Sequence, residues 1–172
     1  MNTRRIIAAS FFSLLFLASC GKATVVRKEA TIGHETLEVM MLTGKKVTHP
    51  VHGEEVWFAV GPMSGEGQTK ANGVAQSHVF ADDASIATVL LNIQPPAKGY
   101  HYIPWFRKPG SADRVRLDAL ENPFKDVRHV ITTEVKQDLR GYTEVVVTLE
   151  RDAGASPSDP VQATGTVKEQ HR

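Results

Sequence analysis

The stretch of this chain best equipped for chemistry is His49-Pro50-Val51-His52-Gly53, with Glu54 and Glu55 immediately behind. Two imidazoles three positions apart in a turn can converge on Zn²⁺ or Cu²⁺, although a site needs three or four ligands. On a strand the odd spacing would send the rings to opposite faces. Met40, Met41 and Met63 offer the soft sulfur that copper takes, and serve equally well as core fillers. His49 and His52 are therefore the candidate metal ligands; a partly exposed polar turn is the plainer reading. The single cysteine, Cys20, is the other reactive centre.

Nothing else assembles into a catalytic set. Hydrolysis calls for a paired acid and base or an activated nucleophile. Asp82 and Asp83 are adjacent, so on a strand they would face opposite ways. Ser64 lies in Met63-Ser64-Gly65-Glu66-Gly67, which lacks both the nucleophile-elbow spacing and the Lys-Ser/Thr of a phosphate-binding loop. The expectation is a protein that is not an enzyme and carries no cofactor. Tyr100, His101, Tyr102, Trp105 and Phe106 are grouped closely enough to grip sugar or peptide. Inward packing, with tyrosine hydroxyls bonded at the sheet end, is the reading preferred here. Tyr142, just ahead of an apolar strand, suits a corner tyrosine whose hydroxyl bonds backbone.

Cys20 has a specific context. Arg4 and Arg5 precede residues 6–18, which carry no charge, and Leu17-Ala18-Ser19-Cys20 closes the run. A basic start, an apolar middle and small residues at the cut make a secretory signal. Thirteen apolar residues are too few for a ~30 Å hydrocarbon core, which takes about 20 in a helix. The tetrapeptide resembles the bacterial lipobox, in which the cysteine becomes the first mature residue and carries lipid. That resemblance implies a diacylglyceryl group on the Cys20 sulfur, membrane residence without a spanning helix, and no thiol left for disulfides or catalysis. One acyl chain binds marginally and two hold stably. Gly21 follows where an Asp would signal inner-membrane retention, so outer-membrane sorting is the default in a host with two membranes.

Removing residues 1–19 leaves 153, enough for one domain burying about 68–70% of its unfolded surface. The remaining 18 basic and 19 acidic side chains are nearly balanced, which argues against a nucleic-acid binder or a polybasic membrane reader. Residues 20–30 read as the lipidated cysteine and a short polar tether, 31–167 as the folded domain, and 168–172 as a charged, frayed tail.

Along the domain the hydrophobic period is two, not 3.6. Candidate strands centre on Leu37–Met41, Val56–Val60, His78–Phe80, Ile86–Ile93, Tyr100–Phe106, Val115–Leu117, Val130–Thr132, Val145–Leu149 and Val161–Val167. Pro104 places its strand at an edge or beside a bulge. The glycine-bearing stretch 61–76 reads as a long loop. The expected fold is all-β: a single antiparallel β-sandwich, Ig-like or Greek-key, of about 7–9 strands after an N-terminal signal helix.

The second half also resembles a known family. Gln94-Pro95-Pro96-Ala97-Lys98-Gly99-Tyr100-His101-Tyr102 is similar to the L-P-P-x-P-x-G-x-x-Y segment of anti-sigma-K factor extracytoplasmic domains, which leads into an aromatic-bearing strand, here Trp105-Phe106. Residues 139–150 resemble those domains' V-T-x-E strand, followed by a Gly/Ser/Pro loop and a terminal strand ending Thr164-Gly165-Thr166-Val167. The likeness covers 86–167 and implies an Ig-like sandwich outside the cytoplasm. It does not carry over sigma-factor binding, because the cytoplasmic helical region and spanning helix of those proteins have no counterpart here.

The functional expectation is a lipid-anchored, extracytoplasmic binding or scaffolding module of the bacterial cell envelope. Its partners would be the membrane, through lipid on Cys20, and an envelope protein, with no nucleic acid. The alternative is a metal-handling lipoprotein for Cu or Zn using His49 and His52.

Overall fold

Val145 and Val147 point into the protein while Val146, Thr148 and Glu150 point out, a two-residue alternation that a bulge interrupts in the longest strand, between Glu55 and Trp57. The computed structural model describes residues 46–151 and 160–171. Of the two units into which the chain divides, 1–41 and 42–172, only the second contains described residues. Residues 1–19, Cys20, the tether and the expected Leu37–Met41 strand lie outside them.

The strands are β1 (Thr48–His49), β2 (Gly53–Gly65), β3 (Asn72–Phe80), β4 (Ser85–Asn92), β5 (His101–Arg107), β6 (Arg114–Arg116), β7 (Arg128–Val135), β8 (Glu144–Glu150), β9 (Val161–Thr166) and β10 (Lys168–Glu169). The fold is all-β, as expected. Ten antiparallel strands form one sheet in the order β6-β5-β8-β9-β2-β3-β4-β7, with β1 and β10 both on β2. The sheet curls into a sandwich-like half-barrel around Met63, Val79, Val89, Leu91, Phe106, Val145 and Val147. Among the described residues, no helix is long and apolar enough to cross a membrane.

β2 organises this arrangement. Its 13 residues pair with β3 along one edge. The other edge serves β1 at Gly53–Glu54, β10 at Ala59–Val60 and β9 at Met63–Gly65 in turn. Between the last two, a Cβ on Gly61 would stand 1.9 Å from the Thr166 carbonyl oxygen. Only glycine lets the chain pass so close.

Two expectations are corrected here. Most of 61–76 is not a loop, because β2 runs to Gly65 and β3 starts at Asn72. The glycines of this stretch mark strand backbones in close approach: a Cβ on Gly73 would lie 2.1 Å from the Leu90 carbonyl oxygen. The charged end is not frayed throughout either, since Lys168 and Glu169 pair with Val60 and Ala59, and Gln170 N–H donates to Phe58 O at 2.8 Å. Pro104 sits one strand in from the edge. Its carbonyl accepts from Leu117 N–H at 2.9 Å on the β6 side, where β6 has already ended, so its missing N–H interrupts little.

The half-barrel is latched at one end. Beyond β6 the chain stays beside β5, with Leu120 N–H donating to Tyr102 O at 2.8 Å. Glu121 then exchanges both backbone hydrogen bonds with Val130 of β7 at 2.9 Å each.

Candidate functional site

β1 and β2 are joined by the three-residue turn Pro50-Val51-His52. Proline favours the turn's first position, and Gly53 supplies the left-handed residue (φ 78°) that returns the chain to the strand. His49 caps this turn: its Nδ1 accepts from the backbone N–H of Val51 at 3.3 Å and of His52 at 3.2 Å. The acceptor role puts the neutral ring's hydrogen on Nε2.

His52 folds back over the outer face of the sheet and is only 8% exposed. Its Nδ1 donates to Asp82 Oδ2 at 2.7 Å, and its Nε2 stands 3.4 Å from Glu134 Oε1 without hydrogen-bond alignment. Asp82 comes from the β3–β4 turn, where its Oδ1 also accepts from Ala84 N–H at 3.1 Å. The Asp82 hydrogen bond holds His52 above the ordinary histidine value of 6.5, with Glu134 adding to the effect and burial opposing it. The same bond lowers the Asp82 carboxyl. The His49 and His52 rings stack at 4.7 Å and 14°, and Phe80 lies 5.4 and 5.8 Å from them.

A second histidine–carboxylate pair lies further along the same face. The register shift of β2 between Glu55 and Trp57 is a bulge that brings Glu55 and Phe58 to one side, where odd spacing would otherwise separate them. There Glu55 Oε2 accepts from His78 Nδ1 at 2.6 Å, and the Phe58 ring packs 4.6 Å from that of His78. Glu55 and His78 are both buried. Among the described residues, no hydroxyl or thiol side chain hydrogen-bonds to His52 or to His129, a further buried histidine.

The candidate ligands are thus neighbours, but their rings are stacked and each Nδ1 is engaged. No group of three or more His, Cys, Asp or Glu among the described residues is placed to hold a metal ion. Met63 is in the core, Glu54 is exposed, and Met40, Met41 and Cys20 lie outside the described residues. The residues that spacing could not supply are Asp82, Glu134 and His78. Asp82 is thirty positions from His52 and meets it only through the pairing of β2 with β3.

The aromatic cluster divides between two faces. Phe106 is wholly buried in the core and Trp105 is buried on the outer side. Trp105 Nε1 donates to Thr148 Oγ1 at 3.0 Å and Glu150 Oε1 at 3.1 Å, beneath the guanidinium groups of Arg114 and Arg116. Glu150 is inaccessible; its Oε1 also accepts from Thr148 Oγ1 at 2.7 Å, and its Oε2 lies 3.6 Å from Arg116 Nη2. The tyrosine bonded to backbone is Tyr102, whose hydroxyl donates to Gln94 O at 2.9 Å. Tyr142, expected in that part, accepts instead from Gln137 Nε2 at 2.7 Å.

Comparison with protein-family models, curated proteins and solved structures found no match.

Proposed function

We propose that this protein is a non-catalytic binding or scaffolding module, held by lipid on Cys20 at the extracytoplasmic face of a bacterial envelope membrane. One observation carries the reading: Leu17-Ala18-Ser19-Cys20 closes an uncharged run behind Arg4-Arg5, and its cysteine is the only one in the chain. The all-β body is consistent with it, because an exported domain with one cysteine must stand on its core rather than on disulfides. The resemblance of residues 86–167 to an extracytoplasmic domain adds the same address.

Growth with an alkyne fatty acid tests the tether. Wild-type protein should take up label and partition with membranes, and Cys20→Ala should do neither. Mass spectrometry showing a bare thiol at position 20, or cleavage elsewhere, would overturn the reading. Binding is tested by pull-down from detergent-solubilised envelope. Recovery of one protein at stoichiometric yield supports it, and repeated recovery of background alone counts against it.

A further inference from the structure

The backbone groups along the outer edge of β7 can be counted one by one. Ile93 N–H donates to Val127 O at 2.8 Å, so the odd-numbered residues of β7 face β4. The even-numbered residues face outward. Arg128 N–H is taken by Asp126 Oδ1 at 2.8 Å, and Val130 is taken by Glu121. Thr132 and Glu134 come next, both exposed, and among the described residues nothing pairs with their N–H and C=O groups. Along the same stretch Ile131 and Val135 are only partly covered against the core, and Thr133 Oγ1 is buried without a hydrogen-bond partner.

We infer that this edge pairs with the same edge of a second copy, antiparallel about a two-fold axis at Thr133. In that register Thr132 faces Glu134 of the second copy and Glu134 faces its Thr132. All four open groups on each chain are satisfied by four interchain hydrogen bonds. Ile131 meets Val135 of the second copy on the core side, and the two Thr133 hydroxyls meet at the axis. The neighbouring registers fail. Moving the axis to Glu134 sets like charges opposite each other. Moving it to Thr132 demands Val130, which Glu121 already holds. The other edge strand, β6, is guarded against self-pairing by Arg114 and Arg116.

So short an edge makes a small interface, which is weak in free solution. Confinement to a surface raises the effective concentration and turns weak pairing into stable pairing. The inference rests on the proposed membrane tether for that confinement.

The test uses the chain from residue 20 with Cys20→Ser and an N-terminal hexahistidine tag. It is loaded at rising density on phosphatidylcholine vesicles containing a nickel-chelating lipid, so the result does not depend on acylation. Directly opposed residues of a non-hydrogen-bonded pair have Cα atoms about 4.5 Å apart, within disulfide reach. Thr133→Cys should therefore cross-link under diamide at least ten-fold more than Thr132→Cys or Glu134→Cys. Adding Thr132→Pro removes an outward N–H together with the 3.0 Å hydroxyl bond to Thr88. It should abolish the cross-link, whereas a Thr132→Val control, which loses that hydroxyl bond but keeps the N–H, should retain it, both with unchanged circular dichroism spectra. Equal cross-linking at the three positions, or none at the highest density, overturns the inference. Hydrogen-exchange protection of Thr132 and Glu134 that arises only when another envelope protein is added assigns the edge to that partner and also overturns it.

Discussion

His52 donates from Nδ1 to Asp82 Oδ2 at 2.7 Å, pinning the first hairpin to the β3–β4 turn thirty positions further on. The bond joins the β1–β2 turn to the β3–β4 turn across the outer face of the sheet. Glu134 stands 3.4 Å from the opposite ring nitrogen, so the imidazole lies between two carboxylates from different elements.

This pair makes stability depend on pH. A histidine held above its ordinary 6.5 contributes stability fully below that value and loses it as pH rises through the folded value. Asp82, held below 3.8, contributes above that value and loses its share only as pH falls through its folded value. The difference in urea midpoint between wild type and His52→Gln should therefore be largest near about pH 6 and shrink toward about pH 9. NMR titration of Asp82→Asn should show the His52 value falling. A midpoint difference that does not vary with pH sinks this account.

Gly61→Ala should be severe although it adds one methyl group. The new Cβ would stand 1.9 Å from the Thr166 carbonyl oxygen, a backbone atom that moves only with its strand. A cost of about 3 kcal/mol, at the upper end for overpacking, is expected from denaturant melts. Gly67→Ala, with no neighbouring atom within 4 Å, should cost less despite its φ of 58°.

Two phenylalanines should separate core from surface. Phe106 is fully enclosed, and Phe106→Ala should cost roughly 3–5 kcal/mol. Phe124 is 59% exposed, with the Arg128 guanidinium 4.0 Å from its ring centre. Phe124→Ala should cost less than about 1 kcal/mol, the size of an exposed cation–π contact. Comparable losses at the two sites would contradict the packing described.

Glu150→Ala removes the acceptor shared by Trp105 Nε1 and Thr148 Oγ1 and leaves the partly buried Arg116 without its carboxylate. A loss of about 3 kcal/mol is expected, at the low end for breaking a buried pair because Arg116 keeps some contact with water. Trp105 fluorescence should change with it. Replacing Arg116 by Met in the same chain should recover part of the loss, whereas purely additive costs would show that the two side chains are not coupled.

Local patterning carried much of this fold. The candidate strand at Val145–Leu149 is β8, legible because each residue's side depends only on its parity along the strand. The same rule failed at Glu55 to Phe58, where a bulge changes the parity without marking the sequence. Glycine misled over 61–76: there it permits close packing of strand backbones, and nothing local distinguishes that use from a turn. Tyr142 was the expected backbone-bonding tyrosine from its place ahead of an apolar strand; the path of Gln94 past the end of β5 gave that bond to Tyr102 instead.

From the order of its residues alone, this chain determined its all-β class, most of its strands and the singular position of Cys20, since each of these depends on near neighbours. Tertiary structure decided that His52 would meet Asp82 and Glu134, that His78 would meet Glu55, and that the outward backbone groups of Thr132 and Glu134 on β7 would find no partner among the described residues. Those pairings depend on strand order and register, which are set by how distant segments share one core and which no local spacing encodes.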